Sequence, residues 1–246
     1  MDAALPRITV VTICRNAADS IERTLQSVAA QDYPALEYVV VDGASTDGTL
    51  AILERYRGRI GRLTSEPDRG IAHAFNKGIA LGTGDWFLML NAGDAFLAPD
   101  ALRRLVQLAA GGERIVTARS RCGSRSHPRY RIREGLSLIL RSHLSHQATL
   151  VQRGVYAEYG VYDESFRIRM DTDFFLRVLR KEKLAFLDDW LIEFLPGGVS
   201  GREFGLNWRE ARRAVVKNRC GLFSRIEFEI LFLLAAGERL LRGNPA

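Results

Sequence analysis

Leu36-Glu37-Tyr38-Val39-Val40-Val41-Asp42-Gly43-Ala44-Ser45-Thr46-Asp47-Gly48-Thr49 joins an apolar run to a carboxylate, a loop of small and hydroxylated residues, and the start of a helical segment. The run from Tyr38 to Val41 reads as a strand buried on both faces. Gly43 and Gly48 can take backbone angles closed to other residues. Asp47 or Thr49 can cap a helix that continues through Leu53 and Tyr56. Open α/β sheets bind ligands beyond the carboxyl ends of their strands. Asp42, at a strand tip, therefore reads as functional, whereas Asp47 alone reads as a turn and cap residue.

The same unit recurs on either side. Ile8 to Ile13 is a β-branched run with Asn16 after it, and Asp19 or Ser20 starts a helix that places Ile21, Leu25 and Val28 on one face. Ile60 to Ser65 is a short third strand, followed by the polar turn Ser65 to Gly70 and a helix over 71–81. Trp86 to Leu90 is a fourth strand and ends at Asn91-Ala92-Gly93-Asp94. Pro99 or Asp100 opens a further helix, closed by Gly111-Gly112. Alternating strands and helices predict a parallel sheet with both faces covered. Asn16, Asp42 and Asp94 would then share one rim.

The 246 residues suffice for one large domain or a domain with an appendage. A net charge of +6 favours an anionic partner, such as a nucleotide diphosphate, a phospholipid or nucleic acid. Cys14, Cys122 and Cys220 are odd in number and widely spaced, which fits neither a disulfide framework nor a zinc site. No signal peptide and no clean bilayer-spanning run is apparent, so a reducing cytoplasmic setting is expected.

Character changes in the second half. Arg114 to Arg141 holds eight arginines and one acid, with strand-like pieces at 115–118 and 130–132. It reads equally as a solvated basic edge or a phosphate landing site. His146 to Val151 is expected as strand, 163–170 as loop, 174–181 as helix with Asp171 or Asp173 as its cap, and 184–195 as strand. Pro196 to Ser200 reads as a flexible turn. From Arg202 onward the chain is mostly helical. Its basic stretch, Arg209 to Arg219, and its apolar stretch, Phe223 to Leu241, suit packing on the core or a subunit, or contact with an anionic membrane.

Motifs for dinucleotide binding, phosphate-loop nucleotide binding and zinc peptidase chemistry are absent. A metal-assisted reaction on a nucleotide diphosphate needs only one or two carboxylates for a hard cation and one base for an acceptor hydroxyl. Asp94, with weaker help from Asn91, suits the first task, and Asp171 is a candidate for the second.

In order and spacing, Ile8 to Asn16, Val41 to Thr49, Ser65 to Ile71, Ala74-Phe75-Asn76-Lys77-Gly78, Gly84-Asp85-Trp86 and Leu90 to Asp94 resemble the family 2 glycosyltransferases, inverting enzymes of GT-A fold. The resemblance covers roughly the first two thirds of the chain, through Arg180. Asn91 to Asp94, His146-Gln147 and Gly197 to Ser200 are similar to bacterial polysaccharide-assembly transferases of the colanic acid type.

The resemblance implies donor contacts from Asn16, Asp42, Asp68, Arg69, Asn76, Lys77 and Asn91. It also implies a divalent metal (Mg²⁺ or Mn²⁺) at Asp94, and Asp171 as catalytic base within Asp171-Thr172-Asp173-Phe174-Phe175-Leu176-Arg177. His146, Gln147, Asp173 and Arg177 are implied in acceptor or phosphate contacts. Asn91 and Gly93 stand where the family's metal motif is usually acidic, His73 where an aspartate is common, and Met170 where a glutamate often is.

The expected fold is thus α/β of GT-A type, a mixed, mostly parallel sheet flanked by helices. A catalytic domain over 1–200 would comprise a nucleotide-sugar half (1–112) and an acceptor half (113–200), followed by a C-terminal helical extension over 201–246. The expected function is inverting transfer of a hexosyl or related sugar from a nucleotide-sugar donor to a hydroxyl of a glycan or polyprenyl-phosphate-linked glycan, in cell-surface polysaccharide biosynthesis. Peripheral contact at the inner face of the membrane and oligomerisation are compatible with it. The alternative is an inactive nucleotide-sugar-binding module of an assembly complex. A nucleic-acid binder is disfavoured because Tyr130 alone supplies an aromatic within the basic segment.

Overall fold

The computed structural model describes residues 5–122, 144–195 and 203–221, with positions 225, 226, 228–230 and 233 beyond them. Most of the basic segment, including its expected strand at 130–132, the Gly197 to Ser200 stretch and most of the apolar run over 223–241 lie outside the described residues.

The β-branched runs form β1 (Ile8–Cys14), β2 (Leu36–Asp42), β3 (Arg62–Ser65) and β4 (Trp86–Asn91), all mutually parallel. Between them run α1 (Ile21–Ala29), α2 (Thr49–Arg55) and α3 (Ile71–Leu81). Every residue of β1 is buried, as its uninterrupted apolar and threonine sequence requires. On α1 the buried side chains are Ile21, Thr24, Leu25 and Val28, one stripe at helical spacing. Gly78 lets α3 lie against β1, because a Cβ there would collide with the Val11 side chain.

Two further strands and a helix follow: β5 (Ala95–Phe96), α4 (Ala101–Ala109) and β6 (Ile115–Cys122). The second half adds β7 (Thr149–Gln152), α5 (Arg153–Tyr159), α6 (Met170–Val178), β8 (Leu184–Phe194) and α7 (Phe204–Lys217). One eight-stranded sheet results, in the order β3-β2-β1-β4-β7-β6-β8-β5. β7 runs antiparallel to both β4 and β6, whereas β8 runs parallel to β6, so the sheet is mixed. Strand order reverses between β1 and β4, the place where such a sheet opens a crevice at its carboxyl edge. The register sets Cys14 beside Asp42 and Ile13 beside Asn91, so these three strands end level at that crevice.

Several boundaries differ from the sequence reading. His146 to Ala148 form a 3-10 turn, and the strand starts only at Thr149. α6 starts four residues earlier than expected, at Met170 against Phe174, so Asp171 and Asp173 lie inside its first turn and Arg169 takes the cap position. The aromatic pair Phe174 and Phe175 belongs to the buried core with Met170, and that burial extends the helix toward its start. Gly48, rather than Asp47 or Thr49, occupies the cap of α2, and Asp47 instead accepts the Thr49 N–H at 2.9 Å. The two-residue β5 and the helix α5 had no clear sequence signal. α7 packs into the same core as α3 and α6 through Ala211, Ala214 and Val215. Among the described residues, no helix is long and apolar enough to cross a membrane.

Candidate active site

Asp42 ends β2 with no exposed surface. Its carboxylate accepts the Ser45 N–H at 2.9 Å, the Ser65 hydroxyl at 2.6 Å and the Ser45 hydroxyl. The loop after β2 is thus folded around this side chain, and β3 is tied to it. Asn16, with φ of 48°, crosses to the same loop and accepts the Thr46 N–H at 2.8 Å, while its own N–H goes to the Ser45 hydroxyl at 2.8 Å. Asn16 itself stays exposed. Asp68 lies directly over Gly43, where a Cβ would displace its carboxylate. Gly43 is therefore the residue that lets the β2 loop and the 66–70 turn meet.

The 66–70 turn is joined to the second half of the chain. Arg69 donates to Glu164 at 2.6 and 3.1 Å. The Asn76 amide donates to the Tyr162 carbonyl at 2.9 Å and accepts the Tyr162 N–H at 3.0 Å, a two-way bond that locks α3 to the 160–165 loop. Lys77 donates to the Pro67 carbonyl at 2.9 Å and pairs with Glu66 at 2.8 Å. His73 accepts the Arg69 N–H at 3.1 Å.

Asp94 closes the turn after β4 and is buried. One carboxylate oxygen accepts the Asn91 N–H at 2.9 Å and the Asn91 amide at 3.1 Å. Burial pushes the Asp94 carboxyl up to about 6, although Asn91, Gln147 and the Arg23 charge act in the opposite sense. Arg23 reaches this turn by donating to the Gly93 carbonyl at 2.8 Å. Among the described residues no three histidine, cysteine, aspartate or glutamate side chains group as a metal site. The donor set here, one carboxylate and one amide oxygen, is all hard oxygen. It fits a divalent cation that takes its remaining ligands from phosphates, rather than one caged by protein alone.

His146 and Gln147 connect this turn to the other acid. Gln147 hydrogen-bonds Asp94, whereas His146 is buried among Phe75, Tyr162 and Phe175 with its Nε2 2.7 Å from the Tyr162 hydroxyl. Burial lowers the His146 pKa, opposed by the nearby Asp171 charge, so the ring is held neutral near pH 7. Asp171, half-buried, accepts the Thr172 N–H at 2.6 Å and the Thr172 hydroxyl at 3.3 Å, both on Oδ1. Arg169 lies within electrostatic reach of both Asp171 and Glu210, and burial lowers its pKa.

Asp173 has a different setting. On a helix, residues two apart point to nearly opposite sides, and Asp173 is fully buried against α7. It accepts from Lys217 at 3.0 Å and Asn218 at 2.9 Å. Arg177 bonds the Val161 carbonyl at 2.8 Å and Asp173 at 3.3 Å. The structure thus gathers Asn16, Asp42 and Asp68 at one end of the rim, Asn91, Asp94 and Gln147 at the switch point, and His146 and Asp171 beyond. Asn76 and Arg177 serve as ties between segments. Glu210 and Glu164 were not singled out in the sequence, where nothing distinguishes them from surface acids of helix and loop.

The mixed sheet with acid-bearing turns at its switch point agrees with the expected GT-A fold. The model of the family described as "Glycosyl transferase family 2" matches residues 9–208, and the chain belongs to that family. It is 33% identical over 216 residues to the uncharacterized glycosyltransferase Rv1514c of Mycobacterium tuberculosis, covering 85% of this chain and 82% of that one. It is 29% identical over 188 residues to a PGL/p-HBAD biosynthesis glycosyltransferase of Mycobacterium bovis, covering 74% and 73%. In structure it is similar to Staphylococcus aureus TarS 1–349 in complex with UDP-GlcNAc (TM-score 0.71, 18% identity, 90% of this chain and 71% of that chain). It is also similar to the mannosyltransferase PcManGT of Pyrobaculum calidifontis in complex with GDP-Man and Mn²⁺ (TM-score 0.68, 23% identity, 88% and 65%).

Proposed function

We propose that this glycosyltransferase inverts the anomeric centre of a nucleotide-bound sugar as it transfers it to a hydroxyl of a glycan or lipid-linked glycan. The observation that carries the reading is the crevice at the β1–β4 switch point, where β1, β2 and β4 end level and the buried carboxylates of Asp42 and Asp94 sit at their carboxyl ends. The nucleotide lies over the 43–48 loop and the 66–70 turn, with Asn16, Asp68, Arg69 and Lys77 around it and Asp42 as the buried post that shapes the loop. Asn91 and Asp94 face the diphosphate, and a divalent cation held there supplies Lewis-acid stabilisation of the leaving group. Asp171 takes the proton of the acceptor hydroxyl. The oxygen then bonds to the anomeric carbon from the face opposite the nucleotide, and the bond to the diphosphate breaks with its electron pair.

A glycan or lipid-linked acceptor is supported by the relative named for PGL/p-HBAD biosynthesis, and contact with a membrane surface by the C-terminal segment. In that segment Val216, Ile226, Ile230 and Leu233 are exposed, as are Arg209, Arg219 and Arg225. Exposed apolar and arginine side chains along one C-terminal segment suit peripheral contact with anionic lipid at the cytoplasmic face.

Thermal shift against UDP, GDP and their sugar conjugates, with and without Mn²⁺, tests the donor reading. A ligand that binds only the folded chain raises its apparent stability. Stabilisation by one nucleotide class, larger with Mn²⁺, is expected; no shift at millimolar concentration of any of them contradicts the reading.

A further inference from the structure

We propose that Glu210, on the C-terminal helix α7, is a positioning residue for Asp171; the inference rests on Asp171 being the base. Glu210 is only 7% exposed, and its carboxylate collects three consecutive backbone N–H groups. Those of Arg167, Ile168 and Arg169 donate at 2.8, 2.8 and 3.0 Å. Successive N–H groups converging on one anion form a rigid backbone nest. The residue at the cap of α6, Arg169, makes no side-chain cap bond, so the backbone entering α6 depends on this carboxylate from a helix about forty residues away.

The nest ends two residues before Asp171. Asn207, one turn before Glu210 on α7, accepts from the Arg169 guanidinium, which also approaches the Thr172 hydroxyl at 3.5 Å. Farther along, Lys217 and Asn218 grip Asp173. α6 is thus fixed to α7 on both sides of Asp171 in the sequence. With the backbone held before and after it, the Asp171 carboxylate keeps one location relative to the crevice. A displacement of about 1 Å in such a group costs on the order of 100-fold in rate. Among the described residues the Glu210 carboxylate bonds the 167–169 backbone and neither the 43–48 loop nor the 66–70 turn, so donor affinity is expected to be unaffected by its loss.

The test measures nucleoside diphosphate release from UDP-N-acetylglucosamine and GDP-mannose by the full chain, using whichever is turned over. Glu210→Gln, Glu210→Asp and Asp171→Asn are compared with the unaltered protein. Glu210→Gln presents an amide N–H to backbone donors, and kcat is expected to fall about 100-fold with donor KM within about twofold. Glu210→Asp keeps the charge on a shorter arm and should lose about tenfold, which carries the test if the glutamine variant does not fold. In the Asp171→Asn background, Glu210→Gln should cost nothing further, since both act on one group. A kcat within about twofold of the parent in both Glu210 variants overturns the inference, as does a rise in donor KM that matches the fall in kcat. If Asp171→Asn alone retains the parental rate, the base reading fails first, whatever the Glu210 variants do.

Discussion

The two halves of the sheet hold their acids in different ways. In residues 5–112, Asp42 and Asp94 are buried at strand ends and held by partners within the loop or turn that follows, Ser45 for one and Asn91 for the other, with Ser65 of β3 as a further donor to Asp42. In residues 144–221, Asp171 is left half-open, and the backbone beneath it is held by a carboxylate from α7. On the proposed reading, the first arrangement shapes loops for a rigid, charged donor. The second leaves one oxygen acid accessible while fixing its origin. A transferase needs both, because the donor must be oriented before a hydroxyl can be deprotonated beside it.

Stability measurements can break this comparison. Asp42→Ala removes the acceptor for the Ser45 N–H and two serine hydroxyls in a fully buried position. It should cost about 3 kcal/mol by chemical denaturation, and a loss below about 1 kcal/mol would show that the loop does not depend on it. Gly78→Ala places a methyl group against Val11 and should cost about 2 kcal/mol, with α3 pushed off β1. Unchanged stability would mean that α3 shifts freely.

Asp94 should show the opposite sign. Its folded-state pKa of about 6 lies above the ordinary 3.8, so the folded chain binds more protons than the unfolded one between those values. Stability from this group is therefore present below about pH 4 and is lost as pH rises through 6, by on the order of 3 kcal/mol. Asp94→Asn should flatten that part of the pH profile relative to the parent, and should also remove any Mn²⁺ enhancement of nucleotide binding. Superimposable profiles would contradict the burial argument. The smallest effect belongs to Asp171→Asn, expected within about 0.5 kcal/mol of the parent because the side chain is half-open and, among the described residues, its hydrogen bonds go to its neighbour Thr172.

Legibility in the sequence follows the same divide. β1, β2, β4 and α3 were readable because β-branched runs and helical spacing are local signals, and the strand tips carried Asp42 and Asp94 with them. His146-Gln147 was seen as a motif but assigned to a strand. Its apolar neighbours Ala148, Leu150 and Val151 hide the tight turn that lets one side chain reach Asp94 and the other approach Tyr162 and Asp171. The early start of α6 is hidden in the sequence because the backbone entering the helix is held by Glu210, about forty residues later, and no local pattern announces such a partner. Asp173 and Arg177, read as contacts for ligand, are the buried tie to α7 and a tie to the 161 carbonyl.

The most direct test of the central claim is a paired measurement on Asp171→Asn: nucleotide affinity by calorimetry and nucleoside diphosphate release with the donor that the parent turns over. Parental affinity with release reduced by at least about 10³-fold is expected. Parental release would remove Asp171 from the reaction and, with it, the division of labour between the two halves of the sheet.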